Sequence, residues 1–274
     1  MTKRFTAACI QMCSARDPQN NRDSAVALVR EALSRGADYI QTPEMTNIVN
    51  RDRDCFRESV TGENEDIVLA ALREIAREGN AFIHIGSLAL LDGDRYVNRA
   101  FIIDRNGDVV ARYDKIHLFD VDLPNGESWR ESASYRAGDR AVLTDLPWGL
   151  LGISICYDAR FPHLYRSLAK DGASFLSAPA CFTRQTGEAH WHVLQRARAI
   201  ENGAYMISAA QSGHHEDGRE TYGHSVIIDP WGRVLTDAGD GPGVICAEID
   251  PELVTQVRQR IPSLLHDRPY SMDR

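Results

Sequence analysis

A thiol, an ammonium and a carboxylate are a sufficient set for transferring an acyl group through a covalent intermediate. In this chain the thiol is Cys156. It closes the stretch Gly149-Leu150-Leu151-Gly152-Ile153-Ser154-Ile155-Cys156, whose apolar run and two glycines read as a buried strand, whereas Tyr157 to Pro162 carries turn and helix-start residues. Open α/β sheets gather their ligands at the carboxyl ends of strands, just ahead of a helix, which is where this thiol stands. Backbone N–H groups there favour a thiolate and, later, an oxyanion. A packed core cysteine suits the same position, and place alone does not choose between the two.

Glu44 follows Gln41-Thr42-Pro43 at the end of a short strand over 37–40, and Lys115 follows a strand over 109–113. A shared sheet edge would bring both to Cys156. Cys156 would then attack a carbonyl carbon, and Glu44 would take the thiol proton and return it to the leaving ammonia. Lys115 and the Tyr157 backbone N–H would steady the oxyanion, and water activated by Glu44 would hydrolyse the thioester. Taken singly, a loop glutamate or lysine is usually a solvated surface group. Histidine is another route to a thiolate, through His117, His190 or His224, but no protease signature surrounds Cys156 and that route leaves Lys115 unexplained. His190 and His192 flank Trp191 and read as core or interface hydrogen-bonding groups, and His214-His215 reads as an exposed loop.

The elements that must position these groups follow from periodicity and punctuation. Residues 4–11 alternate as a strand, 18–33 form a helix ended by Gly36, and 64–78 a helix closed by Gly79. Strands at 82–90 and 96–104 join through Asp92-Gly93. After Cys156 come a helix over 162–170, a strand over 173–177, a helix over 188–202 and a strand over 204–210. A pair at 224–229 and 233–236, a strand at 243–249 and a helix over 251–260 complete the chain. Both halves run strand, helix, strand, helix, then several strands, which predicts an internal structural duplication. Two such units bury their sheets against each other, giving an α/β, four-layer α-β-β-α sandwich in a single domain over 1–274. Periodicity is lost only within 117–148.

Composition narrows the partners. The 274 residues carry a net charge of −8, and 43% hydrophobic and 26% charged content is ordinary for a globular protein. An acidic chain argues against nucleic acid or an anionic membrane as partner, which leaves a small molecule or another protein. Met1 to Arg4 lead straight into the first strand with no apolar signal core, and no run is long enough to span a bilayer, so a cytoplasmic protein is expected. Six scattered cysteines read as free thiols, and neither they nor the histidines show zinc-ligand spacing, so no metal is expected.

Three blocks carry a resemblance. Thr42-Pro43-Glu44, Tyr113-Asp114-Lys115-Ile116-His117-Leu118-Phe119-Asp120 and Ile155-Cys156-Tyr157-Asp158-Ala159-Arg160-Phe161-Pro162 resemble, in that order, the catalytic blocks of the nitrilase superfamily of carbon–nitrogen hydrolases. The resemblance covers almost the whole chain. It implies the α-β-β-α sandwich, a triad of Glu44 as general base, Lys115 as oxyanion stabiliser and Cys156 as nucleophile, no cofactor, and a homodimer or larger homo-oligomer. It also implies a second glutamate after the lysine block, matched by Glu131 in Arg130-Glu131-Ser132, which would orient Lys115 and hold compensating charge. Glu127 sits too early for this and reads as a surface loop residue.

Ala189-His190-Trp191, Arg196-Ala197-Arg198-Ala199-Ile200-Glu201 and Tyr222-Gly223-His224-Ser225 with Asp229-Pro230-Trp231-Gly232 are similar to the Nit branch of amidases. That branch implies a primary amide one short chain away from an α-keto acid. Such a substrate needs a cation for its carboxylate, for which Arg160 and Arg184 are candidates; Phe182 and Thr183 read as pocket wall, and Tyr157 contacts substrate through its backbone N–H. Cys181 stands where a small residue is expected and reads as a small packed hydrophobe. A non-catalytic scaffold on the same fold is the other class, but a scaffold has no physical reason to keep Glu44, Lys115 and Cys156 together.

Overall fold

Alternation in the first strand decides the architecture. In β1 (Phe5–Gln11), Ala7 and Cys9 enter one apolar cluster and Ala8 and Ile10 another, the period-two pattern of a sheet covered on both faces. The computed structural model describes residues 3–124 and 126–273; Met1 and Thr2, part of the leaderless start expected above, lie outside them. The first half continues with α1 (Pro18–Ser34), β2 (Tyr39–Gln41), α2 (Arg53–Ser59), α3 (Ile67–Gly79), β3 (Phe82–Asp92), β4 (Arg95–Ile103) and β5 (Val109–Asp114). A small hairpin of β6 (Asp120–Asp122) and β7 (Ser128–Arg130) follows. The second half runs β8 (Val142–Leu146), β9 (Gly149–Ile153), α4 (Pro162–Lys170), β10 (Phe175–Ser177), α5 (Arg184–Asn202) and β11 (Tyr205–Ser208). A second hairpin, β12 (Ser212–His214) and β13 (Glu220–Tyr222), precedes β14 (Val226–Ile228), β15 (Val234–Asp237), β16 (Gly243–Ile249) and α6 (Glu252–Arg260).

The duplication expected from the element order is visible in the pairing. One six-stranded sheet has the order β16-β1-β2-β3-β4-β5 and the other β15-β14-β11-β10-β9-β8. Each has three parallel strands at its centre, an antiparallel pair on one side and a single antiparallel strand on the other. Phe5, Tyr39 and Ile102 of the first sheet share a buried cluster with Leu151, Phe175 and Ile207 of the second, so the two sheets face each other. Val29 of α1 and Leu72 and Ile75 of α3 cover the outer face of the first sheet through Ala8, Ile40 and Ile83. Leu168 of α4 and Trp191 of α5 pack on the second. The result is the four-layer α-β-β-α sandwich, held by side chains whose burial contributes roughly 1.5–3 kcal/mol each. Among the described residues, no helix is long and apolar enough to cross a membrane.

Several expectations are corrected in detail. α3 is closed by Asn80 in the left-handed region at φ +50°, not by Gly79. Gly79 is instead where α3 meets α1, since a Cβ there would lie 2.5 Å from the Leu33 side chain. α5 begins at Arg184, four residues before the expected start, because the Thr183 hydroxyl caps it by accepting from the Thr186 N–H at 3.4 Å. Within 117–148, where no element was expected, lie β6, β7 and β8. α2 and the β12–β13 hairpin were likewise absent from the sequence reading.

Candidate active site

Glu44 owes its position to a break in β3. Pairing of β3 with β4 shifts register between Ile85 and Leu88, and the freed backbone groups hold the loop that leaves β2. The Gly86 N–H donates to Thr42 Oγ1 at 3.2 Å, Ser87 N–H to Pro43 O at 3.2 Å, Thr46 N–H to Ser87 O at 2.9 Å and Met45 N–H to Ser87 Oγ at 3.0 Å. Such a bulge re-aims a side chain next to a site. Only glycine fits at 86, where a Cβ would lie 2.1 Å from Thr42 O and 2.6 Å from Pro43 O.

Cys156 sits on an equally constrained turn. Its φ of +49° is left-handed, a conformation that costs a non-glycine residue of order 1–3 kcal/mol and persists only where the surroundings impose it. Here they do. The Cys156 N–H donates to Pro179 O at 2.9 Å, and the fully buried Asp158 ties this turn to the lysine segment. Its Oδ2 accepts from the Ile155 N–H (2.9 Å) and the Tyr113 hydroxyl (2.6 Å), and its Oδ1 accepts from the His117 N–H (3.1 Å) and Nδ1 (2.6 Å). Asp158→Ala strands four donors, so a loss of about 3–5 kcal/mol is expected in urea unfolding; a loss below about 1 kcal/mol would mean that this junction does not hold the two segments.

The charged groups meet between these turns. Lys115 Nζ donates to Glu44 Oε1 at 2.9 Å and to Glu131 Oε2 at 2.9 Å. Asn98 Nδ2 donates to the same two carboxylates, at 2.9 and 3.1 Å. Glu44 Oε2 accepts from the Cys181 N–H at 2.8 Å, and Glu131 Oε2 from the Phe119 N–H at 2.7 Å. Glu44, Lys115 and Cys156 are 4%, 2% and 6% exposed. Burial pulls the Lys115 ammonium towards neutrality, but Glu131 and then Glu44 outweigh it and hold its pKa well above the ordinary value. The Cys156 thiol is pushed well above its ordinary value, first by burial and then by the charge of Glu44, with Lys115 opposing. At neutral pH the thiol therefore keeps its proton, and attack requires a base beside it.

Glu44, Lys115, Cys156, Glu131, Tyr157, Arg160, Phe182 and Thr183, the residues expected to serve one site, all line a single cavity of about 710 Å³. The Tyr157 N–H takes no acceptor from among the described residues. Phe182 is buried with its ring edge-on to Trp191, and Arg160 lies over it. Cys181 also faces this cavity, its thiol pushed up to about 11 by burial against the opposing charge of Arg219. Asn98, which joins both carboxylates, carries no motif and was missed, as were Arg51, Trp129 and Arg219 of the lining.

Arg184 does not reach the cavity: it pairs with Glu188, Glu220 and Asp240 on the surface. The histidine route is answered by partners elsewhere. His117 bonds Asp158, His190 accepts from Arg160 at 3.3 Å, and His224 donates to Asp237 at 2.9 Å. His192 also donates to Asp237, at 2.6 Å. These last three are, among the described residues, the one group of three close enough to share a metal ion, and they lie outside the cavity lining. His215 corrects the exposed-loop expectation: its ring bonds Ser14 O (2.9 Å) and Thr221 Oγ1 (2.8 Å), and only His214 is exposed.

Comparison with known proteins places this geometry among relatives. Residues 6–259 match the carbon-nitrogen hydrolase family model. The chain is 40% identical over 272 residues to a deaminated glutathione amidase of Synechocystis sp., covering 96% of this chain and 98% of that one. Nit3 of Saccharomyces cerevisiae, a member of branch 10 of the nitrilase superfamily, superposes with a TM-score of 0.85 at 29% identity, covering 95% of each chain. An amidase of Nesterenkonia sp., solved with acrylamide added at its active-site cysteine, gives a TM-score of 0.78 at 26% identity over 94% of this chain and 98% of that one.

Proposed function

The chain belongs to the carbon–nitrogen hydrolase family and is an amidase, and on that premise we propose that it hydrolyses deaminated glutathione through a thioester on Cys156. The observation that carries the mechanism is the buried network in which one ammonium, Lys115, is shared by Glu44 and Glu131 beside a protonated thiol. In deaminated glutathione the scissile nitrogen is the amine of a cysteinylglycine dipeptide. The bond is thus a secondary amide, and the leaving group is the dipeptide, not the ammonia expected of a primary amide.

Cys156 Sγ attacks the amide carbon while Glu44 takes the thiol proton. The oxyanion forms against Lys115 Nζ and the Tyr157 N–H, donors fixed before the charge develops. The C–N bond then breaks, Glu44 passes its proton to the departing amine, and an acyl thioester remains. Water, deprotonated by Glu44, attacks the thioester, and the α-keto acid leaves as Cys156 regains its proton. Glu131 keeps Lys115 charged and aimed. Arg160, beside the nucleophile's turn and without a carboxylate partner among the described residues, is assigned to the keto-acid carboxylate. Tyr157, Phe182 and Thr183 wall the acyl group. The catalytic steps use no cofactor.

A single domain over 1–274, a cytoplasmic location and a homodimer complete the reading. Val193 and Ile200 of α5 and Trp231 beyond it leave apolar surface exposed, which supports self-association. Purified protein is expected to release cysteinylglycine from deaminated glutathione with kcat/KM about 10²-fold above that for ammonia release from α-ketoglutaramate, because the tail adds binding energy. Faster turnover of α-ketoglutaramate would reassign the enzyme to short ω-amides, and no hydrolysis of either would remove the substrate reading.

A further inference from the structure

Three segments that leave the sheets meet at one indole ring. Arg51, just before α2, lies with its guanidinium carbon 4.4 Å from the Trp129 ring centre, and Arg219, in the β12–β13 hairpin, lies 4.6 Å from the same centre. All three line the cavity that holds Cys156. Each cation is attracted by the ring face, but two guanidinium groups on one ring repel each other, and the nearby carboxylates are Asp217 and Glu127, the latter accepting from the ring's Nε1 at 3.3 Å. Arg51 is exposed and has no acidic partner among the described residues. For Arg219 the carboxylate within reach is Asp217, at 3.5 Å, and its buried Nε has no hydrogen-bond partner.

Of the other arginines lining the cavity, Arg53 and Arg57 stand exposed on α2 and two more are engaged. Arg130 pairs with Asp122, and Arg95 donates to the backbone carbonyls of Ser132, Ser134 and Tyr135. Arg219 also reaches the catalytic network: its Nη1 is 3.8 Å from Cys181 Sγ, and the Cys181 N–H is the donor that holds Glu44. Arg219 therefore sits one residue away from the general base, and both cations lie on segments separate from the turn that carries Arg160.

We propose that Arg51, Trp129 and Arg219 form a subsite for a carboxylate at the far end of the leaving group, so that the enzyme selects amides whose amine half is a short, acid-terminated peptide. This rests on the amidase reading above. The planar forks of two arginines bind a carboxylate through charge-assisted hydrogen bonds, and the ring holds them in place while excluding water. An unpaired buried donor such as Arg219 Nε is costly unless a ligand satisfies it.

The test compares three substrates: deaminated glutathione, the same molecule with its terminal carboxylate capped as the amide, and α-ketoglutaramate, which has no tail. Wild-type protein is expected to lose about tenfold in kcat/KM on capping, mostly through KM. Arg51→Gln, an exposed change with little effect on folding, is expected to narrow the preference for deaminated glutathione over α-ketoglutaramate by about tenfold and to abolish the penalty of the cap, with Arg51→Lys recovering part of it. An unchanged preference in Arg51→Gln, or a capped substrate hydrolysed as well as the free acid, would overturn the subsite while leaving the amidase reading intact. Failure of the wild type on deaminated glutathione would instead strike the function proposed above.

Discussion

Cys156→Ala is expected to lower kcat on deaminated glutathione by about 10⁴-fold or more, while unfolding free energy changes by about 1 kcal/mol. The size of the loss follows from chemistry: no other group in the cavity combines a nucleophilic atom with the base and oxyanion donors arranged around residue 156. Cys181 is the one other thiol lining the cavity. It does not substitute, because the one hydrogen-bonding group its sulfur meets among the described residues is Arg219 Nη1, at 3.8 Å, a donor that cannot take the thiol proton. The small stability change follows from what holds the turn. Pro179 O and Asp158 bond to backbone groups of 155 and 156, which alanine retains. Residual activity within about tenfold of wild type would place the nucleophile elsewhere.

Glu44→Gln has the second largest expected effect, a loss of about 10³-fold in kcat with KM within a few-fold of wild type. The thiol of Cys156 keeps its proton at neutral pH, so a neutral amide in place of the carboxylate leaves nothing to take it. A stability cost of about 1–3 kcal/mol accompanies this, by donor counting. Three donors converge on Glu44: Lys115 and Asn98 on Oε1 and the Cys181 N–H on Oε2. A glutamine presents one oxygen, and its amide nitrogen would face a donor. Wild-type kcat in this variant, measured on protein of verified fold, would contradict the assignment of Glu44 as base.

What could be read from the chain, and what could not, divides along the range of the interactions involved. Cys156, Glu44 and Lys115 were legible because each ends a strand whose apolar run is local, and because the blocks around them carry a resemblance. Asp158 stood in plain view inside the cysteine block, yet its task is to accept from Tyr113 and His117, some forty residues away. No periodicity reports such a contact. Gly86 and Asn98 lie inside strands that were expected correctly, but their purpose is set by the loop and carboxylates packed against them.

Part of the remaining cavity wall lies on α2 and the segment just before it, on β7 and on the β12–β13 hairpin. These elements are too short for an apolar pattern to develop. Arg51, Trp129 and Arg219 were unreadable for that reason. His215 looked like loop chemistry for the same reason, although its ring is buried between Ser14 and Thr221. Arg184 was misplaced because its acidic partners, Glu220 of β13 and Asp240 between β15 and β16, are distant in the chain.

The central claim is that the acyl group passes through Cys156. Intact-protein and peptide mass spectrometry after rapid acid quench of the enzyme with deaminated glutathione tests it most directly. An adduct heavier by the acyl group less one hydrogen, mapped to Cys156 and absent from Cys156→Ala, is the predicted result. Turnover with no adduct at any quench time, or an adduct on Cys181, would contradict it.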